Sequence, residues 1–328
     1  MKNLIIFCLI LCMLILPSCS SELYVSKTFW AMDTYIDIKL PSNLNNCDDI
    51  FGDCDAKIND IEKLISKSIE DSDVSKFNLN LEVIEINDIT RYIIETAAEV
   101  SDLTDGAFDI TLLSVSEYWQ ECANAGNFPN DEELSRILSY CGQEKINLSG
   151  NCLSKSNSLL KIDLGGIGKG YASDVLVEYF NNCDVDYGMV SFGSNVAVWG
   201  EKPDGSKYKI GIKDPMNTNS LIGYINMSEG VLSVSGDYER YVEIDGQKYH
   251  HITDPSTGYP TNNGVHSIAV ICDKGIYSDA LSTAFMVMGV EKTMELYNSG
   301  KIEFEVLFVT DDGITMSTGM KEIFDPIE

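Results

Sequence analysis

Hydrophobic and polar positions along the chain follow two different periods, which predict a mixture of helices and strands. Alternation over Tyr35–Leu40 predicts a strand. Residues 48–66 and the stretch Arg91–Leu103 predict two helices, and residues 123–131 predict a loop with a helix after it. Helices therefore separate the first predicted strand from the middle of the chain.

The second half of the chain predicts more strands than helices. Leu159–Leu164 is expected to be a strand that passes through a glycine-rich turn into a helix over Tyr171–Phe180. Short strands separated by turn signals follow from 187 to 272, and a buried helix begins at residue 278 before a final strand pair. This order predicts an α+β fold with mixed, largely antiparallel sheets and flanking helices.

The N-terminus has the pattern of a lipoprotein signal peptide. A charged start precedes an apolar run, Leu4–Leu16, that is too short to be a comfortable membrane span. The sequence Leu-Pro-Ser-Cys-Ser then reads as a lipobox, although a plain secretory peptide is the alternative. We expect a signal over 1–18, a tether over 19–30 that starts at a lipidated Cys19, and one domain over 31–328. The protein would then be anchored to the outer face of the cell membrane.

Acidic residues outnumber basic residues by 51 to 23, which gives a formal net charge of −28. Such a surface repels phosphate backbones, so nucleic-acid binding is excluded as a function. Solubility is the main cause that we assign to the surplus. An anionic small ligand would need local devices such as backbone amides, a helix N-terminus or a bound cation.

Seven of the ten cysteines remain when those of the signal segment and Cys19 are set aside. Their wide spacing and the lack of a CxxC pair argue against a zinc site and against an obvious disulfide framework. Cys47 with Cys54, and Cys141 with Cys152, are close enough in sequence to form local bridges. Free, partly buried thiols are the alternative, and the sequence leaves both open.

Asp279 and Thr283 lie one helical turn apart in an otherwise apolar segment, Ser278–Met288. Positions i and i+4 share a helix face, so the carboxylate and the hydroxyl point to the same place. A buried carboxylate without compensation is costly. Either a hard cation such as Mg²⁺ compensates its charge, or the carboxylate caps or braces a neighbouring loop.

Two turns carry further candidate chemistry. Residues 162–171 (Ile-Asp-Leu-Gly-Gly-Ile-Gly-Lys-Gly-Tyr) would bring backbone amides and a helix N-terminus close to an anion, although neither the Walker A pattern nor GxGxxG fits. Tight strand–helix packing explains these glycines equally well. Residues 105–111 place Asp105 and Asp109 around a turn, which is either a surface hairpin or a loop that lines a ligand through Phe108.

His250 and His251 lie on the return strand of a predicted hairpin, 237–244 with 248–253. Adjacent strand residues face opposite sides, so only one of the two imidazoles can enter a site beside Asp279. A packed, hydrogen-bonded His in a sheet is the structural alternative. Two in a row before an Asp-Pro turn favour a functional role.

Together these segments resemble the FAD:protein FMN transferase family, the ApbE-type flavin transferases. The matching segments occur in the family's order and cover most of the chain from about 30 to 290. They are Met32–Thr34, Gly106–Asp109, Asp163–Tyr171 with Asp174, Ser191–Asn195, Ser235–Tyr238, His251–Pro260 and Asp279–Thr283.

The resemblance implies two intimate lobes around a central FAD cleft, and transfer of FMN from FAD to a Thr or Ser hydroxyl of an acceptor protein with release of AMP. It implies that Asp279, Thr283 and the carbonyl of Gly168 hold Mg²⁺ against the FAD pyrophosphate. His251, the second catalytic residue beside Asp279, would accept the proton of the acceptor hydroxyl. Contacts with FAD are implied at Met32, Ser68, Ala107, Phe108, Asp109, Gly165, Tyr171 and Thr253.

Three positions depart from the family's pattern. Asp33 replaces the usual Gly, Ser68 stands where many members have an aromatic residue near the adenine, and Gly168 replaces a common Ala. Weaker adenine stacking would raise the FAD concentration that is needed. Two other functions remain open: with water as acceptor the same site is an FAD pyrophosphatase, and without turnover the chain is an FAD-binding lipoprotein.

Overall fold

The computed structural model describes residues 23–79 and 83–327. The predicted signal segment 1–18 and the predicted lipidation site Cys19 lie outside the described residues. Among the helices in those two ranges, none is long and apolar enough to cross a membrane.

Sixteen strands and eight helices occur in the described part of the chain. In chain order the strands are β1 (Tyr24–Ala31), β2 (Thr34–Pro41), β3 (Ile84–Glu85), β4 (Asn147–Ser149), β5 (Cys152–Ser154), β6 (Gly188–Phe192), β7 (Asn195–Trp199), β8 (Tyr208–Asp214), β9 (Asn217–Met227), β10 (Gly230–Gly236), β11 (Tyr241–Ile244), β12 (Gln247–His250), β13 (Val265–Cys272), β14 (Glu305–Thr310), β15 (Gly313–Met316) and β16 (Phe324–Pro326). The helices are α1 (Cys47–Ile65), α2 (Asp73–Leu79), α3 (Asp88–Leu103), α4 (Leu113–Asn124), α5 (Asp131–Leu138), α6 (Gly168–Asn182), α7 (Gly275–Ser299) and α8 (Thr318–Ile323).

An eight-stranded antiparallel sheet forms the centre of the fold, in the order β1-β2-β6-β7-β10-β13-β14-β15. One face of this sheet packs against α6 and α7, where the largest core contains fully buried Ile36, Phe192 and Phe285. The other face packs against a three-stranded sheet, β16-β9-β8, through a second core. A third core joins α4 and α5 to the β11–β12 hairpin around Trp119.

The first hairpin turns at two residues with left-handed backbones, Met32 (φ 53°) and Asp33 (φ 57°). Such φ values favour glycine, and Asp tolerates them better than most other side chains. Asp33 therefore adopts a backbone conformation that the family's usual glycine also permits. Glu62 of α1 holds the turn because its Oε1 accepts a hydrogen bond from the N–H of Met32 at 3.0 Å.

Most predicted elements are present with shifted ends. The strand at Tyr35–Leu40 is β2, the helix at 48–66 is α1, and the helix at Arg91–Leu103 begins three residues earlier, at Asp88. The predicted hairpin is confirmed but is limited to β11 and β12. The final strand pair is β14 and β15, although β16 follows it and pairs with β9.

Two predicted segments are wrong. Leu159–Leu164 is not a strand, because the side chain of Asn78 takes both backbone hydrogen bonds of Ile162, at 2.8 and 2.9 Å. The predicted tether over 19–30 is wrong for residues 24–30, because they belong to β1 and pair with β2 along its length.

The cysteines form no bridge between Cys47 and Cys54 or between Cys141 and Cys152, since all four are free thiols. Burial raises the pKa of Cys54 and the pKa of Cys141 to about 12. These two thiols are therefore protonated and unreactive in the folded protein.

Candidate active site

The candidate active site is a cleft of about 600 Å³ that is lined from both sides of the main sheet, by the helices α6 and α7, by the strand β8 and by the loops around Phe108 and His251. Of the site residues expected from the sequence, the following line it: Met32, Ser68, Ala107, Phe108, Asp109, Gly165, Gly168, His251, Thr253, Asp279 and Thr283. Six segments that are far apart in sequence therefore meet in one place.

Tyr171 is the predicted site residue that the structure does not bring to this cleft. The helix α6 begins at Gly168, three residues before the predicted start at Tyr171, so Tyr171 is its fourth residue. Its ring packs on Tyr92 of α3, with 5.9 Å between the ring centroids, and it does not line the cleft.

Asp279 is buried on α7, and its two carboxylate oxygens have different surroundings. Oδ2 accepts a hydrogen bond from the N–H of Gly170 at 2.9 Å, and Oδ1 lies 3.8 Å from Nζ of Lys169. Both partners belong to the first turn of α6, where unpaired N–H groups favour negative charge. The carboxylate is thus fixed on one side and open to the cleft on the other.

Close packing of α6 on α7 explains the glycines of the predicted turn. A Cβ atom on Gly170 would lie 2.0 Å from the carbonyl oxygen of Gly275 and 2.7 Å from Cβ of Asp279. Only glycine permits this approach. Tight packing therefore accounts for Gly170, although it joins two helices and not a strand to a helix, and it brings the start of α6 to the carboxylate of Asp279.

Asp174 fixes the start of α7. Its carboxylate accepts hydrogen bonds from the N–H groups of Gly275 at 2.5 Å and Ile276 at 2.9 Å. Burial outweighs these bonds and raises the pKa of Asp174 to about 6. Because Asp279 lies one turn further along α7, this contact also sets the position of the site carboxylate.

Thr283 lies one turn beyond Asp279 and faces the glycine-rich turn. A Cβ atom on Gly166 would be 3.4 Å from its Oγ1 and 3.5 Å from the ring of Phe108. Among the described residues, the hydroxyl of Thr283 has no hydrogen-bond partner. It is therefore available to a ligand.

Gly168 begins α6 against the end of α1. A Cβ atom there would lie 2.6 Å from Cδ1 of Ile65 and 3.6 Å from Cε of Met32. In this chain the side chain of Ile65 thus fills the space that an alanine methyl group would need. With glycine in place of the family's common alanine, the backbone of Gly168 still lines the cleft.

The oxygen atoms in this part of the cleft provide some, but not all, of the ligands that a Mg²⁺ ion needs. No group of three His, Cys, Asp or Glu side chains that could hold a metal ion occurs in the described residues. Mg²⁺ is usually held in proteins by one or two carboxylates together with waters and substrate phosphates. One carboxylate, one hydroxyl and a backbone carbonyl therefore fit a magnesium ion that binds together with a phosphorylated substrate.

The loop 105–111 lines the cleft and is not a surface hairpin. The Oδ1 atom of Asp109 accepts hydrogen bonds from the N–H and the hydroxyl of Thr111, both at 2.7 Å. Burial raises the pKa of Asp109 above its ordinary value. Phe108 is buried beside it, so an aromatic ring and a hydrogen-bonded carboxylate form this wall of the cleft.

The two imidazoles have different surroundings, as the predicted alternation implies, although β12 ends at His250 and His251 directly follows it. His250 points away from the cleft, and its Nε2 donates to the carbonyl of Thr261 at 2.8 Å. His251 lines the cleft, and its Nδ1 lies 3.2 Å from the carbonyl of Arg240. Because a carbonyl only accepts, Nδ1 carries the proton and Nε2 keeps a free lone pair.

The walls of the cleft desolvate His251 and, with the nearby charge of Arg240, lower its pKa to about 4. The ring is therefore neutral at physiological pH. Neutral imidazole with a free Nε2 is the form that can accept a proton.

Sequence reasoning missed four cations that line the cleft: Lys67, Lys169, Lys213 and Arg240. Lys67 pairs with Asp163 at 2.5 Å across the glycine-rich turn. Arg240 and the neighbouring Glu239, whose pKa is raised by burial, come directly after the matching segment Ser235–Tyr238 and had been assigned no role. For Lys169 and Arg240 a signal was available, because they lie within or close after matching segments of a strongly acidic chain, whereas Lys213 lies far from all of these segments.

Fold and site together define an α+β protein whose cleft combines a helix N-terminus, oxygen donors for a cation, and a neutral imidazole. Residues 32–308 match the model of the ApbE family, and the chain belongs to this family.

Two relatives and two solved structures show the extent of the similarity. The FAD:protein FMN transferase of Vibrio cholerae is 32% identical over 264 residues, which cover 79% of each chain. That of Haemophilus influenzae is 29% identical over 273 residues, covering 79% of this chain and 78% of the relative. The crystal structure of the ApbE protein from Thermotoga maritima has a TM-score of 0.83 at 34% identity, and that of the flavin transferase ApbE from Vibrio cholerae has 0.80 at 28%. Each alignment covers 92% of this chain and 99% of the other, so the predicted α+β fold and the family resemblance are confirmed.

Proposed function

We propose that this protein is a Mg²⁺-dependent FAD:protein FMN transferase, which moves FMN from FAD to a Thr or Ser hydroxyl of an acceptor protein and releases AMP. The observation that carries the proposal is the arrangement of Asp279 and Thr283 on one face of α7, opposite the start of α6 and in the same cleft as His251. The names of the relatives support the flavin-transfer class.

Asp279, Thr283 and the carbonyl of Gly168 would hold the cation. Bound there, Mg²⁺ would offset the charge of the pyrophosphate and polarise the phosphorus that is attacked. Lys169 lies 3.8 Å from Oδ1 of Asp279, so its ammonium group would neutralise charge on the same phosphates. A protein with a net charge of −28 needs such a local concentration of positive charge to bind FAD.

Proton transfer would fall to His251. Its free Nε2 accepts the proton of the acceptor hydroxyl as the hydroxyl oxygen bonds to the phosphorus of the FMN part. The bond between that phosphorus and the bridging oxygen breaks, and AMP leaves with that oxygen. The carbonyl of Arg240 fixes the orientation of the ring, and Arg240 itself also lines the cleft.

Residues Met32, Ser68, Ala107, Phe108, Asp109, Gly165 and Thr253 would contact FAD. All of these residues line the cleft. Tyr171 would act only indirectly, by packing on Tyr92 at the start of α6.

We also propose that the protein is exported and held at the membrane. The signal pattern over 1–18 and Cys19 supports export and lipid anchoring to the outer face of the cell membrane. Since β1 begins at Tyr24, the tether between the lipid and the folded domain would be only residues 19–23. The catalytic domain would begin close to the membrane surface.

Mass spectrometry of exported proteins mixed with the enzyme, FAD and Mg²⁺ tests the proposal. We expect an FMN adduct on a Thr or Ser of one acceptor, its loss with Asp279→Asn, and its retention with Asp312→Asn, a carboxylate on an exposed hairpin. AMP formation from FAD and Mg²⁺ without any adduct would instead identify a pyrophosphatase. Tight FAD binding without AMP would identify a storage protein.

A further inference from the structure

The strand β8 lies at the edge of its sheet and faces the cleft. In the three-stranded sheet β16-β9-β8, β8 pairs with β9 on one side and with no other described strand on the other. Four consecutive residues, Ile210–Lys213, line the cleft. Gly211 has no side chain, so its place in this lining shows that the backbone at the edge of β8 faces the cleft.

Next to this edge the cleft has an apolar floor. Val196 and Val234 of the main sheet and Ile210 of β8 pack against the same core, and all three line the cleft. Ile212 is buried, whereas Gly211 and Lys213 are exposed. The edge therefore offers unpaired backbone groups above small apolar side chains, which is the arrangement to which an extended peptide adds as a strand.

The residues near this edge also carry charge. Burial raises the pKa of Glu239, while the charges of Lys169, Arg240 and Lys213, in that order, lower it. Lys169, the third cation near Glu239, is paired with Asp279. Two cations against one carboxylate leave positive charge at this end of the cleft, which favours a ligand with a carboxylate.

We propose that an extended, acid-containing segment of the acceptor protein pairs with the free edge of β8 and thereby presents its Thr or Ser hydroxyl to His251. This inference depends on the proposed function and deepens it, because it assigns the acceptor subsite. The dinucleotide and the chain's own tether are the other possible occupants of this edge, and the experiment separates them.

The probe is a synthetic peptide library with one central Thr and varied acidic and neutral flanks, incubated with enzyme, FAD and Mg²⁺. Peptides that acquire FMN are then resynthesised with N-methyl groups at alternate flanking amides, which remove backbone N–H donors and leave the side chains unchanged. We expect one of the two alternating methylation patterns to reduce FMN transfer at least about tenfold and the other to have little effect. Equal labelling with both patterns would overturn the proposal.

Hydrogen exchange supplies the second measurement. Amides of β8 should exchange more slowly when a labelled peptide is added to enzyme with FAD, and FAD alone should not slow them. Protection by FAD alone would assign the edge to the dinucleotide, and protection with neither ligand would assign it to the tether. Either result overturns the proposal.

The labelling experiment has two further outcomes. If whole proteins acquire FMN and no peptide does, the proposal that an extended segment is recognised is wrong. If nothing is labelled, the proposed function itself fails.

A pair of charge reversals on β8 provides a matched control. Lys213→Glu should raise the acceptor KM about tenfold and leave the FAD KM within about twofold. Lys209→Glu makes the same change on the same strand, but Lys209 lies over the ring of Tyr224 and does not line the cleft, so both KM values should stay unchanged. A rise in the FAD KM with Lys213→Glu would place that cation on the dinucleotide and contradict the proposal.

Discussion

Asp279 and Gly170 are joined by a hydrogen bond of 2.9 Å between the Oδ2 atom of one and the N–H of the other, although 109 residues separate them. The bond fixes the carboxylate at the first turn of α6, where Lys169 also approaches. The position of the site carboxylate thus depends on the distance between two helices. That distance is set by a glycine on each of them, Gly170 and Gly275.

Gly170→Ala should therefore damage stability and activity together. The new methyl group would lie 2.0 Å from the carbonyl oxygen of Gly275, so α6 and α7 must separate, at a cost of about 2–3 kcal/mol of unfolding free energy. Urea unfolding and the FMN-transfer rate measure the two effects. Gly52→Ala is the control, because nothing lies within 4 Å of the added methyl on α1, and it should stabilise by about 0.5–1 kcal/mol. Unchanged stability of Gly170→Ala would show that the helices are not in contact at this point.

Thr283→Val should weaken Mg²⁺ binding while leaving the fold intact. Valine has nearly the shape of threonine but lacks the hydroxyl, which has no hydrogen-bond partner among the described residues. We expect the Mg²⁺ concentration for half-maximal activity to rise about tenfold, with thermal stability unchanged. Thr283→Ser keeps the hydroxyl and should restore most of the affinity. If the valine variant has the wild-type Mg²⁺ dependence, Thr283 is not a ligand of the cation.

The pH dependence of activity should reveal the environment of His251. Its pKa is lowered to about 4, so the neutral form that accepts a proton is present at higher pH and is lost as the pH falls through 4. Without bound FAD the ring is neutral from about pH 5 upward, and kcat/KM should therefore be flat there. His251→Gln should lower kcat/KM by at least about 100-fold and abolish the acidic limb. An acidic limb near pH 6.5 in the wild type would mean that the cleft does not desolvate the ring.

Local sequence patterns predicted the elements whose hydrogen bonds are local or follow a strong period. The helix α1 and the strand β2 are examples, with ends shifted by only one residue. Leu159–Leu164 has the composition of a strand, but the backbone N–H and carbonyl of Ile162 bond to the side chain of Asn78, 84 residues away. No local pattern contains that information.

The site also contains residues that a local pattern reveals and residues that only distant contacts bring together. Asp279, Thr283 and His251 could be located from the sequence because a polar group in an apolar helix or at a strand end stands out. Tyr171 was misplaced because the helix begins inside the glycine-rich turn, where glycine packing outweighs its poor helix propensity. Lys213 reaches the cleft only through the position of β8 in the fold, which the sequence does not show.

The stability of the protein should fall as the pH rises through the pKa of His266. Its Nδ1 bonds to Asp237 at 2.8 Å and its Nε2 to Asp311 at 2.9 Å, so both nitrogens must carry protons. Desolvation alone would lower the pKa of His266, but the two carboxylates outweigh it and raise the pKa above 6.5. The contribution to the unfolding free energy is therefore complete below pH 6.5 and is lost above the raised pKa.

Urea unfolding of wild type and Asp311→Asn between pH 5.5 and 8.5 measures this contribution. Asp311 is exposed, so we expect a difference of about 1 kcal/mol or less at low pH that shrinks as His266 loses its proton. Asp312→Asn is the matched control on the adjacent residue, whose carboxylate does not contact the ring, and it should follow the wild-type curve. A difference between wild type and Asp311→Asn that grows with pH would contradict a charged His266.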